Sequence, residues 1–163
     1  MTLVVSICVL FYVGFMVFMI SGLFKHNELE IKSSETLPNV SVVVAARNEE
    51  GHIPYLINDL ISQEYPLDKL EVIIVNDRST DDTAAILDDA SDNYAFIKVI
   101  TIDQVSKDMT PKKNALTKGI EAAFGEIIVL TDADCRVGKL WVSSMTYSVL
   151  NKESISIGFS EIS

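Results

Sequence analysis

Two regimes of hydrophobic patterning follow one another along the chain. Thr2 to Leu23 is an uncharged run of 22 residues, which as a helix rising about 1.5 Å per residue would span the roughly 30 Å hydrocarbon core of a bilayer. A secretory signal peptide has a basic start, a shorter apolar core and a small-residue cleavage site, whereas this segment begins Met1-Thr2-Leu3 and stays apolar for too long. The run therefore predicts a retained transmembrane anchor over residues 1–24, and residues 25–38, polar and closing on Pro38, read as a linker. From Val40 the pattern changes to short β-branched runs alternating with stretches of helical period, the mark of parallel strands joined by crossover helices.

Val40 to Ala46 is a nearly unbroken apolar run, as expected of a strand covered on both faces. Ile53, Leu56, Ile57, Leu60 and Ile61 share one face of a helix that stops before Pro66. Val72 to Val75 predicts a second strand. Asn76-Asp77-Arg78-Ser79-Thr80 then turns into a helix that Ser79 caps, with Asp82 three residues on. Asp81 and Asp82 suit the positive end of that helix. Phe96 to Ile102 predicts a third strand and a polar loop follows it through Thr110. Thr110-Pro111 offers a hydroxyl cap and a first-position proline to a helix with the core face Ala115, Leu116, Ile120 and Ala123, terminated by Gly125.

Ile127 to Leu130 is a fourth strand and runs into Thr131-Asp132-Ala133-Asp134; Trp141, Met145 and Val149 mark one more helix face, and Ser154 to Phe159 one more strand. A sheet whose last strand lacks a covering element is incomplete, so residues 39–163 are expected to be the front part of a longer domain. The predicted class is α/β, a mostly parallel sheet with flanking helices, preceded by one N-terminal transmembrane helix.

Charge sharpens the division. All 13 Lys/Arg and all 23 Asp/Glu lie at or beyond Lys25, and the net charge of −10 belongs to this part. That balance argues against a nucleic-acid partner, because binding a phosphate backbone needs a basic face. Lys25, Lys32 and Arg47 follow the apolar run and no basic residue precedes it. The bias of basic residues toward the cytoplasmic side predicts a single-pass membrane protein with a cytoplasmic soluble part, in a bacterial inner membrane, with the lipid bilayer as a partner. The two cysteines, Cys8 and Cys135, cannot make a disulfide framework and suggest a reducing compartment.

In open parallel sheets ligands bind at the carboxyl ends of the strands. Four polar clusters fall there: Arg47-Asn48-Glu49-Glu50, Asn76-Asp77-Arg78-Ser79, the loop leading to Pro111-Lys112-Lys113, and Asp132-Ala133-Asp134. One acidic residue after a strand is ordinarily a helix cap; four clusters converging on one edge point to a shared site. Asp132 and Asp134, two apart on an extended backbone, would face the same side and converge on one hard cation. Magnesium or manganese, held by one or two carboxylates with its other positions open to water and phosphate oxygens, is the usual means by which an acidic protein binds a diphosphate. The bland alternative is a solvated turn. Lys112 and Lys113 in a first helical turn oppose the helix dipole, and an anion docked there would relieve the conflict.

Other chemistry is set aside. Neither G-x-G-x-x-G nor G-x-x-x-x-G-K occurs, His26 and His52 lack partners at metal-ligand spacing, and Cys135 has no histidine near it in sequence and reads as a packing residue.

Ser41-Val-Val-Val-Ala-Ala-Arg-Asn-Glu-Glu50, Val72-Ile-Ile-Val-Asn-Asp-Arg-Ser-Thr-Asp-Asp-Thr83 and Gly125-Glu-Ile-Ile-Val-Leu-Thr-Asp-Ala-Asp134 resemble, in order and spacing, the family 2 glycosyltransferases of GT-A (Rossmann-like) fold. The likeness runs from about Val40 to Trp141. It implies a transferase using a nucleotide-diphosphate sugar and a divalent cation, Mg or Mn, whose donor-binding half is present here. By motif position Ala45, Arg47, Asn48 and Glu49 would lie along the nucleoside, Asp77 at the base or ribose, and Lys112 near the diphosphate. Asp132 and Asp134 match the D-x-D pair, with Asp134 the likelier direct metal ligand. Asn76 stands where many members have a first aspartate, leaving open which of Asn76 and Asp77 contacts the base, and Pro111 replaces a glycine.

The family's general base and its Q-x-x-R-W segment lie beyond the D-x-D, and nothing after Trp141 matches either; Glu153 and Glu161 lack the context. The resemblance thus implies inverting transfer to an unknown acceptor, lipid-linked or of the cell envelope. The alternative is a non-catalytic nucleotide-sugar-binding fragment without the base. A phosphatase of the haloacid-dehalogenase type would want its Asp pair on the first strand, with Thr or Val where Arg136 stands.

Overall fold

The computed structural model describes residues 2–23, 37–104, 106–150, 155 and 161–162, with side chains described for residues 6–21 of the first segment. The chain divides into two units, Met1–Ile31 and Lys32–Ser163. In the first, helix α1 spans Thr2–Leu23, as the apolar run predicts, and the described side chains are exposed, Phe11 and Phe18 most of all. Among the described residues no helix is long and apolar enough to cross a membrane. Residues 24–36, with most of the expected linker and His26, lie outside the described residues, as does the strand expected from Ser154 to Phe159, Ile155 apart.

The second unit is built on four parallel strands in the order β3-β2-β1-β4. β1 (Val40–Ala46) and β2 (Leu70–Asp77) hold the middle and are buried almost throughout. Their alternating side chains feed two cores. Val42, Val44, Val72 and Ile74 face α2 (Ile53–Ile61), α3 (Thr83–Asn93) and α5 (Trp141–Val149), where Leu56, Leu60, Leu87 and Val142 meet them. Val43, Ile73 and Val75 face Ala115 of α4 (Pro111–Ala122). Gly119 brings α4 close to the sheet, since a Cβ there would overlap Val43 Cγ1. β3 (Ile97–Ile102) and β4 (Ile127–Asp132) are the edges. α4 packs over β1, β2 and β3, and Ile128 and Leu130 of β4 stay 41% and 48% exposed.

The α/β class and the parallel sheet agree with the patterning; several local expectations are corrected. β2 begins at Leu70 and runs through Asp77, two residues longer at each end than its apolar core, because the polar residues Glu71, Asn76 and Asp77 are buried with partners. α3 starts only at Thr83, and Ser79 does not cap it: its Oγ accepts from the Asn48 N–H instead. Thr110 precedes α4, but its hydroxyl makes no cap bond, and its carbonyl accepts from Asn114 N–H as the first turn closes. Gly125 does not end that helix, which stops at Ala122. Its N–H donates to Ser41 Oγ, and a Cβ would collide with the Ser41 backbone, so close approach is what demands a glycine there. Ile120 is 40% exposed, and α4 presses Asn114, Ala115 and Gly119 on the sheet. On α5 the buried residues are Val142, Ser143 and Thr146, with Trp141 and Met145 only partly covered. A short β5 (Cys135–Arg136) pairs antiparallel with β6 (Glu161–Ile162).

Candidate functional site

Register sets the site. Ala45 of β1 lies opposite Asp132 of β4, and Ala46 opposite Asn76 of β2, so three strands end along one line with their loops on the same side. Between these ends and the first turn of α4 is a pocket of about 270 Å³. Of the residues singled out from sequence, Ala45, Arg47, Glu49, Asp77, Lys112, Asp132 and Asp134 all line it. Asn48 does not. Ala46, Pro111, Ala115 and Ala133 complete the lining; these small side chains leave the room that the polar ones surround, a role with no signature of its own in the sequence.

The lining is held by a clasp between the β1–α2 and β2–α3 loops. Asn48 and Arg78 each take a left-handed φ of 55°, a conformation that an asparagine tolerates and an arginine adopts only when its surroundings enforce it. Thr80 N–H donates to Asn48 Oδ1 (2.8 Å), Glu49 N–H to Thr83 Oγ1 (2.8 Å), and Asp82 N–H to Glu50 Oε2 (2.9 Å). Asn48 Oδ1 is thereby engaged by the neighbouring loop, and Asn48 is not among the residues lining the pocket. The Asp81 carboxyl is pushed up by desolvation, yet hydrogen bonds from Thr83 and the Glu50 N–H outweigh this and hold it below its usual value.

Asp77 closes β2 and is buried, its carboxylate gripped by the Arg78 fork at 2.8 and 3.2 Å. The same contact raises the Arg78 pKa. Asn76 points instead to its own loop, where Oδ1 accepts from Ser79 N–H, so of this pair Asp77 is the one on the pocket. Glu49 meets His52, Oε2 to Nδ1, at 2.8 Å. Lys112, in the first turn of α4, places Nζ 2.8 Å from Asp132 Oδ1.

Asp132 and Asp134 are not two positions of one extended strand. β4 ends at Asp132, Ala133 and Asp134 form a turn, and Ala133 is buried beneath it. Both aspartates nevertheless line the pocket. Among the described residues no group of three His, Cys, Asp or Glu is placed to cage a metal. Two carboxylates on one turn beside a lysine and a helix N-terminus fit the other kind of site, in which a hard divalent ion takes its remaining ligands from water and phosphate.

Residues 41–160 match the family described as Glycosyl transferase family 2. The chain is 39% identical over 113 residues to beta-monoglucosyldiacylglycerol synthase from Nostoc sp., a match covering 69% of this chain and 23% of that protein. Among solved structures, S. aureus TarS 1-349 in complex with UDP-GlcNAc superposes with a TM-score of 0.56 at 28% identity, over 68% of this chain and 31% of that one. Glucosyl-3-phosphoglycerate synthase from Mycobacterium tuberculosis, in complex with Mn2+, UDP and glucosyl-3-phosphoglycerate, does so with the same TM-score and identity, over 71% and 41%. The chain spans about a quarter of the length of the curated relatives it matches. Three motifs in register on one sheet edge, and a family match running through all of them, place this chain in glycosyl transferase family 2.

Proposed function

We propose that this chain carries the donor site of an inverting glycosyltransferase that takes a nucleotide-diphosphate sugar with Mg or Mn. The observation that carries the proposal is one pocket that gathers Asp77 of β2, Lys112 of α4, Asp132 of β4 and Asp134 of the turn after it. Ala45, Arg47 and Glu49 lie along the nucleoside, and Asp77, fixed by Arg78, meets the base or ribose. Lys112 and the free N–H groups of α4 hold the diphosphate, and Asp132 and Asp134 hold the ion, Asp134 directly. When bound, the ion stabilises the charge that builds on the departing diphosphate. Lys112 is paired with Asp132 at 2.8 Å; in this reading it exchanges part of that contact for a phosphate oxygen when donor enters.

The acceptor belongs to the bilayer, a reading supported by the diacylglycerol product in the name of the Nostoc relative. The uncharged apolar run from Thr2 to Leu23 supports an anchor at that surface, and the basic residues after it support a cytoplasmic site. Transfer from labelled UDP- and GDP-sugars to lipid acceptors, assayed with the chain in membranes, tests the proposal; no transfer and no donor binding with any of them would sink it.

A second reading, donor binding without turnover, has its own support. Among the described residues, each carboxylate lining the pocket, Glu49, Asp77, Asp132 and Asp134, is already assigned to donor or metal, leaving none to take the proton from an acceptor hydroxyl. Binding without transfer selects it.

A further inference from the structure

Asp59 lies in the last turn of α2, where a carboxylate opposes the helix dipole and a short acidic side chain is a poor helix former. Its side chain is only 11% exposed. The reason is across the fold: both oxygens accept from the Arg136 guanidinium, at 2.6 Å from Nε and 2.8 Å from Nη2, and Oδ2 also accepts from Val137 N–H at 3.2 Å. Such a bidentate fork fixes direction as well as distance. The Arg136 hydrogen bond is the main reason that Asp59 is held below the usual carboxylate range. The guanidinium also sits 5.4 Å from the centre of the Tyr55 ring, one turn earlier on α2.

The gripped segment is the one that leaves Asp134. At its other end the turn is fixed by the β1–β4 ladder, which pairs Asp132 with Ala45. In the middle, Ala133 is 4% exposed and packs in the same core as Val137. Beyond Val137 the grip continues, with Gln63 Nε2 donating to the Gly138 carbonyl and Glu64 N–H to the Lys139 carbonyl. Neither Asp59 nor Arg136 lines the pocket.

We propose that Asp59, through its fork to Arg136, is a positioning residue for the Asp134 carboxylate, holding the segment Asp132–Arg136 in the geometry that receives a divalent ion with a nucleoside diphosphate. This rests on the donor-site reading above. Residues that orient a metal's ligands without touching the ion are typically worth about 10–100-fold in affinity. The arginine of the pair is 42% exposed, and the effect of the fork is read at the ligand.

The test is calorimetric titration of the whole chain, in detergent micelles, with UDP and with GDP, each in Mn2+ and in EDTA. Asp59→Asn is expected to lose about tenfold in the Mn2+-dependent affinity and nothing in EDTA. Arg136→Lys, which keeps the charge and loses the fork, is expected to fall between it and the parent. Equal affinities of Asp59→Asn and the parent chain in Mn2+ would overturn the inference, as would a loss of the same factor with and without the metal. Should Asp59→Asn fail to fold, Arg136→Lys is judged by the same two criteria. A parent chain whose affinity for both nucleotides ignores Mn2+ overturns the donor-site reading and this inference together, and that failure shows without any variant.

Discussion

Lys112 Nζ stands 2.8 Å from Asp132 Oδ1, joining the first turn of α4 to the last residue of β4. With the two side chains 61% and 50% exposed, the pair adds little to stability. What it shows is that α4 delivers a cation to the same strand end that delivers the carboxylates. Lys112→Ala is expected to leave the unfolding free energy within about 0.5 kcal/mol of the parent. It should weaken UDP or GDP by the worth of a charged hydrogen bond, about 1.5–3 kcal/mol, and leave a nucleoside without phosphates unaffected. Parallel titrations of uridine and UDP check this; equal losses on both would remove Lys112 from the diphosphate.

Thr83 is fully buried at the start of α3, and its hydroxyl accepts the Glu49 N–H at 2.8 Å. Thr83→Val keeps the shape and strands that N–H, at a cost of about 1–3 kcal/mol. Because Glu49 lines the pocket, the variant should also weaken nucleoside binding. Urea unfolding gives the first quantity and uridine titration the second; a shift under about 0.5 kcal/mol would mean that the two loops are held by other bonds.

How much of the fold and the site is legible in the sequence depends on where each residue's partner lies. β1 and the middle of β2 are legible because strands covered on both faces are apolar at every position; the Asp132 and Asp134 pair is legible as a motif, but as two positions of an extended strand and not as the turn that begins after Asp132. The ends of β2 are not legible, since Glu71 is matched by Ser41 and Lys98 and no local pattern records that. Asn48 reads from sequence like its pocket-lining motif neighbours Arg47 and Glu49, while its side chain is engaged by Thr80 from a different loop. Gly125 stood where a helix terminator is common, yet the Ser41 backbone pressing on it is the actual constraint. Asp59 and Arg136 carry no signal of their partnership in sequence, being an acid on α2 and a base on β5 until the fold joins them.

Glu71 belongs to the amino-terminal end of the sheet, away from the pocket. Burial pushes its carboxyl up, but hydrogen bonds from the Ser41 hydroxyl, the Phe124 N–H and Lys98 outweigh this and hold it below its ordinary value of 4.5. A depressed carboxyl contributes stability that is fully present above the unfolded pKa and is lost as pH falls through the folded one. Glu71→Gln should therefore destabilise the chain at pH 7, by about 1–3 kcal/mol, with the gap to the parent closing as the pH drops below 4.5. Urea unfolding between pH 7 and pH 3 would show it. Nucleotide affinity at pH 7 should not change, and a parallel loss of binding would contradict the separation of the two ends of the sheet.

In the proposed site one turn and one helix end hold a nucleoside diphosphate through a divalent ion, and the site depends most on Asp134. The most direct measurement is the affinity for UDP and GDP with and without Mn2+ in the parent chain and in Asp134→Ala. Mn2+ is expected to tighten binding of at least one nucleotide to the parent, and Asp134→Ala to abolish this gain while keeping the parent's unfolding midpoint. A variant that binds as the parent does in Mn2+ would contradict the proposed site.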